Sequence, residues 1–272
     1  AATIRAMSPR WTWFRLAWRL CALSGLTFLA FLALTFGLPF RRAPRVRARY
    51  QDAVFRWWSR RALRALGVRL RWEQEPPPGS YFLVANHLSY LDIPVLASRV
   101  PCSFVAKAEI AGWPIAGHLC RSVDTLFIDR SRKRDLPRVL AEVRRLLDAG
   151  RSVAVFPEGT SGSGDALMPF RSSLLDLPAS LDVPVLHATL HYRAPPGWPA
   201  ARESIHWWGA APLLPHAVAL LQLPWIEAQV LLSPEPLRDA DRKRLSERLE
   251  TAISQDFALL RRLVESPPSG AD

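Results

Sequence analysis

Cysteine is scarce in this chain: Cys21, Cys102 and Cys120 are the only three among 272 residues. Their spacing fits no metal motif, and an odd number argues against a disulfide framework. They read as small buried side chains in a reducing compartment. Lysine is equally rare, with Lys107, Lys133 and Lys243 the only three among 36 basic residues. The formal charge of +12 is therefore almost wholly arginine. Coding bias accounts for part of that excess; an anionic partner (nucleic acid, anionic lipid or an acidic protein) would account for the rest. A nucleic-acid surface needs a basic face with interleaved stacking aromatics. Here most tryptophans sit beside the apolar N-terminal stretch or in apolar runs, so no nucleic acid is expected. No internal repeat is present. Apolar residues, by contrast, are abundant. A hydrophobic content of 49%, with 11 Trp and 12 Phe, excludes disorder for most of the length. A chain of 272 residues suffices for one domain with or without an appendage.

Residues 20–40 contain no charge, which is long enough to cross a hydrocarbon core and too long for a simple signal-peptide core. Trp11, Trp13, Phe14 and Trp18 precede it, as aromatics do at a lipid–water boundary. Arginines flank both ends, and the richer cluster after the stretch (Arg41, Arg42, Arg45, Arg47, Arg49) favours the bulk of the protein lying on the cytoplasmic side. Gly37 and Pro39 equally permit a re-entrant or interfacial helix hairpin. Residues 1–50 are thus expected to form a membrane anchor. Residues 51–72 read as a basic amphipathic helix bearing Phe55, Trp57 and Trp58, suited to the interface. A linker to residue 75 follows, then the main domain over 76–265 and a disordered tail, 266–272.

From Tyr81 onward, apolar runs alternate with helical patterns. Strands are expected at 81–85, 102–106, 125–128, 152–156, 183–190, 204–208 and 226–232, and helices at 135–149, 215–222 and 240–264. Pro137 near the start and Gly150 past the end mark the first of these helices. The pattern implies an α/β fold: a mixed, mostly parallel sheet flanked by helices, with an N-terminal membrane-attached helix or hairpin.

Three of these strands end in residues with chemical potential. Asn86-His87 and Asp92 follow the first, and a spacing of five does not stack two side chains on one helix face. The segment must turn, folding Asp92 back onto His87 at the start of a helix. A carboxylate there can fix the imidazole tautomer and support general base catalysis. By itself the pair is equally compatible with a capping Asp and a core His. Asp129-Arg130 follows the third strand, and Arg130 could bind a phosphate or carboxylate through two N–H groups. Phe156-Pro157-Glu158-Gly159-Thr160-Ser161-Gly162 follows the fourth, carrying Glu158 and a loop of small residues to the same edge.

In this order the motifs resemble the four blocks of the glycerolipid acyltransferase family, whose best-known members are bacterial 1-acyl-glycerol-3-phosphate acyltransferases. Those motifs are Asn86-His87 with Asp92, Phe127-Ile128-Asp129-Arg130, Phe156-Pro157-Glu158-Gly159-Thr160 and Val183-Pro184-Val185. Lys107, Trp113-Pro114 and Pro169-Phe170-Arg171 match as well, and the resemblance covers roughly residues 75–235. It implies a membrane-bound O-acyltransferase with no cofactor. His87 is then the base on a lysolipid hydroxyl and Asp92 its orienting partner. Arg130, Glu158, Gly159, Thr160, Lys107 and Arg171 are implied in substrate binding. The donor implied is an acyl thioester on acyl carrier protein or coenzyme A.

One departure bears on the acceptor. Phosphatidate-forming members commonly carry Arg where this chain has Ser161, and a guanidinium fork suits phosphate. The stretch from Phe156 to Leu175, with Trp207-Trp208-Gly209 and Leu214-Pro215-His216, looks more like the lyso-ornithine-lipid acyltransferase branch. Both acceptors stay open, since Arg171 could replace the missing charge. A serine hydrolase is disfavoured because Gly159-Thr160-Ser161-Gly162-Ser163 lacks the final Gly of a nucleophile elbow. His187 and His191 read as strand residues without metal-ligand companions, so no metal is expected. The alternative from another class is a basic membrane-attached protein that binds lipid or nucleic acid without catalysis.

Overall fold

The computed structural model describes residues 9–36, 43–113, 116–128, 136–181 and 183–265. The chain begins with two long helices, α1 (Pro9–Phe36) and α2 (Pro44–Ala65). Strands β1 (Val68–Trp72) and β2 (Phe82–Ala85) follow, then α3 (Asp92–Ala97), β3 (Cys102–Lys107), α4 (Ala116–Ser122) and β4 (Leu126–Ile128). Next come α5 (Leu136–Asp148), β5 (Ser152–Val155), α6 (Asp176–Leu181), β6 (Val185–Arg193), α7 (Ala201–Ser204), α8 (Leu213–Gln222), β7 (Ile226–Leu232) and α9 (Arg242–Glu265).

The strands form one sheet in the order β1-β7-β6-β2-β5-β3-β4. Every pairing is parallel except β6 with β7, which are antiparallel. Helices cover both faces, so the central strands β2 and β5 are buried along their whole length, as their unbroken apolar runs require. On one face Leu83, Ala154 and Leu190 pack with Leu63 and Leu66 of α2, Val95 and Leu96 of α3, and Leu220 of α8. On the other, Phe82, Val84 and Val153 pack against Val139, Val143 and Leu146 of α5 and Leu245, Leu249 and Ile253 of α9.

Two segments depart from the sequence reading. The expected helix over 51–72 begins earlier, at Pro44, and stops at Ala65; residues 68–72 are strand β1. Gly67, at φ +73°, supplies the left-handed turn that ends the helix. The alternation Val68-Arg69-Leu70-Arg71-Trp72 then puts the apolar residues on one face and the arginines on the other, as a half-covered strand paired with β7 demands. The sheet thus includes a strand that the sequence reading assigned to helix and linker. The expected strand 204–208 is replaced by the short helix α7 and an irregular segment. Pro199 before it accepts from Ser204 Oγ at 3.0 Å, in keeping with a helical turn. The expected tail, 266–272, lies outside the described residues.

α1 and α2 pack antiparallel to each other and lie on the sheet-bearing unit. Tyr50 Oη donates to Ala33 O at 2.6 Å, Trp58 Nε1 to Thr27 Oγ1 at 3.1 Å and Arg19 Nε to Ala65 O at 3.1 Å. These three bonds tie α2 to α1 along most of its length. Arg19 is buried and also donates to the carbonyls of Leu221 (2.9 Å), Leu223 (2.6 Å) and Pro224 (3.2 Å). α2 is fastened to the sheet by the fully buried Arg151, just before β5. Its guanidinium pairs with Asp52 at 2.6 Å and with Asp124 at 3.1 Å.

Candidate active site

The site is built where β2 and β5 end side by side, the edge at which parallel α/β sheets carry ligands and chemistry. Beyond Ala85, Asn86 continues the strand pairing with its side chain. Oδ1 accepts from Leu190 N at 2.7 Å and Nδ2 donates to Leu190 O at 3.0 Å. This fully buried amide mimics a peptide group and frees the backbone to turn at His87.

The turn is closed by Asp92, the first residue of α3 and fully buried. Its Oδ2 accepts from His87 Nδ1 (2.7 Å), Leu88 N (2.7 Å) and Ser89 N (3.0 Å). Its Oδ1 accepts from Tyr192 Oη of β6 at 2.7 Å. Four donors satisfy a carboxylate that would otherwise be expensive to bury. With Nδ1–H engaged by Asp92, the basic lone pair of His87 sits on Nε2, which meets no protein partner among the described residues. The imidazole side chain remains 20% exposed and stacks on Phe156 at 4.2 Å, with 14° between planes. The expected fold-back of Asp92 onto His87 is therefore present in the geometry.

Glu158, after β5, is 98% buried, and both oxygens are occupied by backbone amides. Oε1 accepts from His87 N at 2.7 Å and Oε2 from Met168 N at 3.0 Å. Burial pushes its carboxyl up to about 7, against the pull of those two amides. Gly162 N donates to His87 O at 2.8 Å, so the loop after β5 grips both the amide and the carbonyl of His87. Gly159 takes φ +75°, and its amide is spent on Phe156 O at 3.1 Å. Thr160 beside it is exposed, and its amide has no backbone acceptor among the described residues.

Lys107 and Arg171, two of the other expected substrate-binding residues, stand at or after strands that end on this edge. Lys107 is exposed at the end of β3, and Arg171 is exposed while its amide donates to Pro157 O at 2.9 Å. Arg130 lies outside the described residues; β4, which precedes it, ends on the same edge. His187 and His191 lie four residues apart on β6, about 13 Å at strand rise. The first meets Asp256 at 3.1 Å and the second packs on Phe257.

Three participants escape the sequence reading. Tyr192, Phe156 in its stacking role and His206 become visible only when β6, β5 and the segment after α7 converge on the turn. His206 Nδ1 donates to Ser163 O at 2.6 Å, pinning the same loop that grips His87. Burial lowers the His206 pKa, which keeps the ring neutral for that role.

Comparison with known proteins agrees with this geometry. A family model described as Acyltransferase matches residues 68–212. The lyso-ornithine lipid O-acyltransferase of Pseudomonas aeruginosa is 33% identical over 230 residues, covering 84% of this chain and 86% of that protein. The 1-acyl-sn-glycerol-3-phosphate acyltransferase of Neisseria gonorrhoeae is 31% identical over 194 residues, 71% and 76% of the two chains. The crystal structure of the 1-acyl-sn-glycerophosphate acyltransferase of Thermotoga maritima superimposes with a TM-score of 0.66 at 19% identity. It covers 91% of this chain and 98% of that one, and so shares the fold. The chain belongs to the acyltransferase family. It is an enzyme of the lysolipid acyltransferase type.

Proposed function

We propose that this protein is a membrane-bound O-acyltransferase that moves a fatty acyl group from a thioester to the free hydroxyl of a lysolipid. The observation that carries the reading is the His87–Asp92–Tyr192 chain, which leaves Nε2 as the accessible base at the edge of the sheet. His87 Nε2 takes the hydroxyl proton as the acceptor oxygen attacks the thioester carbonyl, while Asp92 compensates the imidazolium that forms. The proton then passes from Nε2 to the departing thiolate, so ester and thiol leave with the base restored. The Thr160 amide is suited to receive the developing oxyanion. Glu158 acts by holding the His87 backbone and not by touching substrate, since both its oxygens are engaged internally.

Lyso-ornithine lipid is the favoured acceptor. Ser161 is buried and donates through Oγ to Trp207 O, so this position is closed off where a phosphate-binding Arg would need to reach out. The relative with the fuller coverage carries that acceptor in its name. A 1-acylglycerol 3-phosphate acceptor is the second reading, favoured by the Neisseria relative and by the exposed Arg171. The donor is acyl carrier protein or coenzyme A. The apolar α1 and the arginine-rich segment after it support attachment to the cytoplasmic face of a bacterial inner membrane.

The test is an acceptor panel: purified protein, one labelled acyl thioester, and lyso-ornithine lipid against 1-acylglycerol 3-phosphate. Preferential acylation of the first is expected. Transfer to neither, with both thioesters supplied, sinks the proposal.

A further inference from the structure

Beyond α2, the exposed large apolar side chains among the described residues are not scattered. Trp113 lies past the end of β3, Met168 past β5 and Trp208 past α7, while Leu213, Leu214 and Val218 stand on α8. Leu259 and Leu263, near the end of α9, share this edge, because Arg261 Nη1 donates to Asp165 O at 2.9 Å in the loop after β5. All of them belong to elements that meet at the edge where His87 emerges. Single exposed apolar residues are ordinary, so the weight falls on α8, where several share one helix.

α8 is the most prominent part of this set. Its ten residues carry no Asp, Glu, Lys or Arg. Leu220 and Leu221 point into the core, while Leu214 is 78% exposed and shares the outer face with Val218, four residues on. Two contacts define what covers it. α1, the long apolar helix with Trp11, Trp13 and Trp18 exposed, is joined to the C-terminal end of α8. Arg15 Nη1 donates to Gln222 O at 2.6 Å, and Arg19 donates to Leu221 O and Leu223 O. On its other flank, His216 Nδ1 meets Tyr90 Oη at 3.1 Å, inside the His87–Asp92 turn. Trp207, just upstream, donates its amide to Leu88 O at 2.9 Å. An uncharged helix is thus fixed between the apolar helix and the catalytic turn.

We propose that α8 is a second lipid-docking helix, distinct from α1, that seats the catalytic edge on the bilayer surface through Leu213, Leu214 and Val218. The occupant is the lipid bilayer, by continuity with the apolar face of α1. This rests on the reading that the acceptor is a lysolipid. It adds that the acceptor's hydroxyl is presented to His87 from the membrane plane, at the Tyr90–His216 contact.

The test places a nitroxide at Leu214→Cys in a Cys21→Ser, Cys120→Ser background, with Lys243→Cys at the start of α9 as the control. Vesicles of phosphatidylcholine and phosphatidylglycerol are the probe. On vesicles, oxygen should relax the spin at 214 more strongly than a water-soluble nickel chelate does, with the reverse at 243. Equal nickel access at the two positions overturns the proposal, as does strong dipolar coupling between 214 spins without lipid, which would mean that two copies cover this face. A second measurement uses Leu214→Asp with Val218→Asp. Transfer to acceptor embedded in vesicles should fall about tenfold, since both apolar contacts are replaced by charge. Undiminished transfer overturns the proposal. Lipid insertion at 214 in a protein that acylates no lysolipid would support the docking helix while removing the proposed reaction.

Discussion

At the scale of single residues, the turn from His87 to Asp92 works because every polar atom of the carboxylate is engaged. Replacing His87 by Ala removes the proposed base and should lower kcat by roughly 10³-fold with vesicle binding unchanged. Asp92→Asn keeps the base but must aim an NH₂ group at one of the N–H or O–H donors now bound by the carboxylate. It should lose less rate than His87→Ala and more stability, which a steady-state assay and urea denaturation together resolve. Wild-type turnover by His87→Ala would end the base assignment. Glu158 yields a pH prediction. Its ordinary value is 4.5 and burial raises it to about 7, so the folded state holds this proton more tightly than the unfolded chain does. The stabilisation is full below pH 4.5 and is lost as pH rises to about 7. The interval corresponds to about 3 kcal/mol at most. Glu158→Gln is less stable throughout, because its NH₂ must face one of the two backbone amides. The wild-type advantage over Gln should shrink as pH rises through this window, measured by urea denaturation at fixed salt. A flat difference would show that Glu158 keeps an ordinary carboxyl. His87 and Asp92 were legible in the sequence because local chain geometry brings them together, and the loop at Glu158 because β2 and β5, both unmistakable apolar runs, end side by side. Tyr192 was not, since it lies 100 positions from Asp92 and only the β2–β6 pairing unites them.

At the scale of elements, the central strands and α5 were readable because their apolar periodicity is unambiguous. The misread elements share a cause. β1 continues an arginine-rich pattern that also fits a helix, and only pairing with β7 selects the extended form. Ser204-Ile205-His206-Trp207-Trp208 has strand-like residues, yet no strand lies beside it, and its groups serve α7 and the loop at Ser163 instead. Tertiary partners decide both cases. The same holds for α2, whose seat on the sheet includes one fully buried cation. Arg151 is fully buried between Asp52 of α2 and Asp124 before β4. Burial already raises the Asp52 pKa despite this partner. Arg151→Met leaves two carboxylates facing an apolar side chain and should destabilise the protein by about 3 kcal/mol. Urea denaturation measures that loss. Hydrogen exchange should localise it first to α2, and protection of α2 equal to wild type would refute the role assigned to Arg151.

At the scale of the molecule, the packing of α1 decides how the protein would meet a membrane under the proposed function. Residues 11–36 are long and apolar enough to span a bilayer. A spanning α1 would carry α2 with it, because Tyr50, Trp58 and Ala65 of α2 are bonded to Ala33, Thr27 and Arg19 of α1. α2 bears Arg45, Arg47, Arg49, Arg56, Arg60, Arg61 and Arg64, and a charged residue at the bilayer centre costs about 2.5 kcal/mol or more. Asp52 on the same helix is also tied to Arg151 at the sheet. These contacts are compatible with α1 only if it lies along one face of the membrane, its aromatic side chains in the acyl chains and α2 above it among the head groups. The expectation is that both ends of α1 stay on the side from which the protein binds. Single cysteines at Ser8→Cys and Arg42→Cys, in the Cys21→Ser, Cys120→Ser background, should both react with a membrane-impermeant maleimide when the protein is added to preformed vesicles. Protection of one end until detergent is added would mean that α1 crosses the bilayer. The hairpin contacts with α2 would then have to break on binding, and the catalytic edge would be held at the membrane by α8 alone.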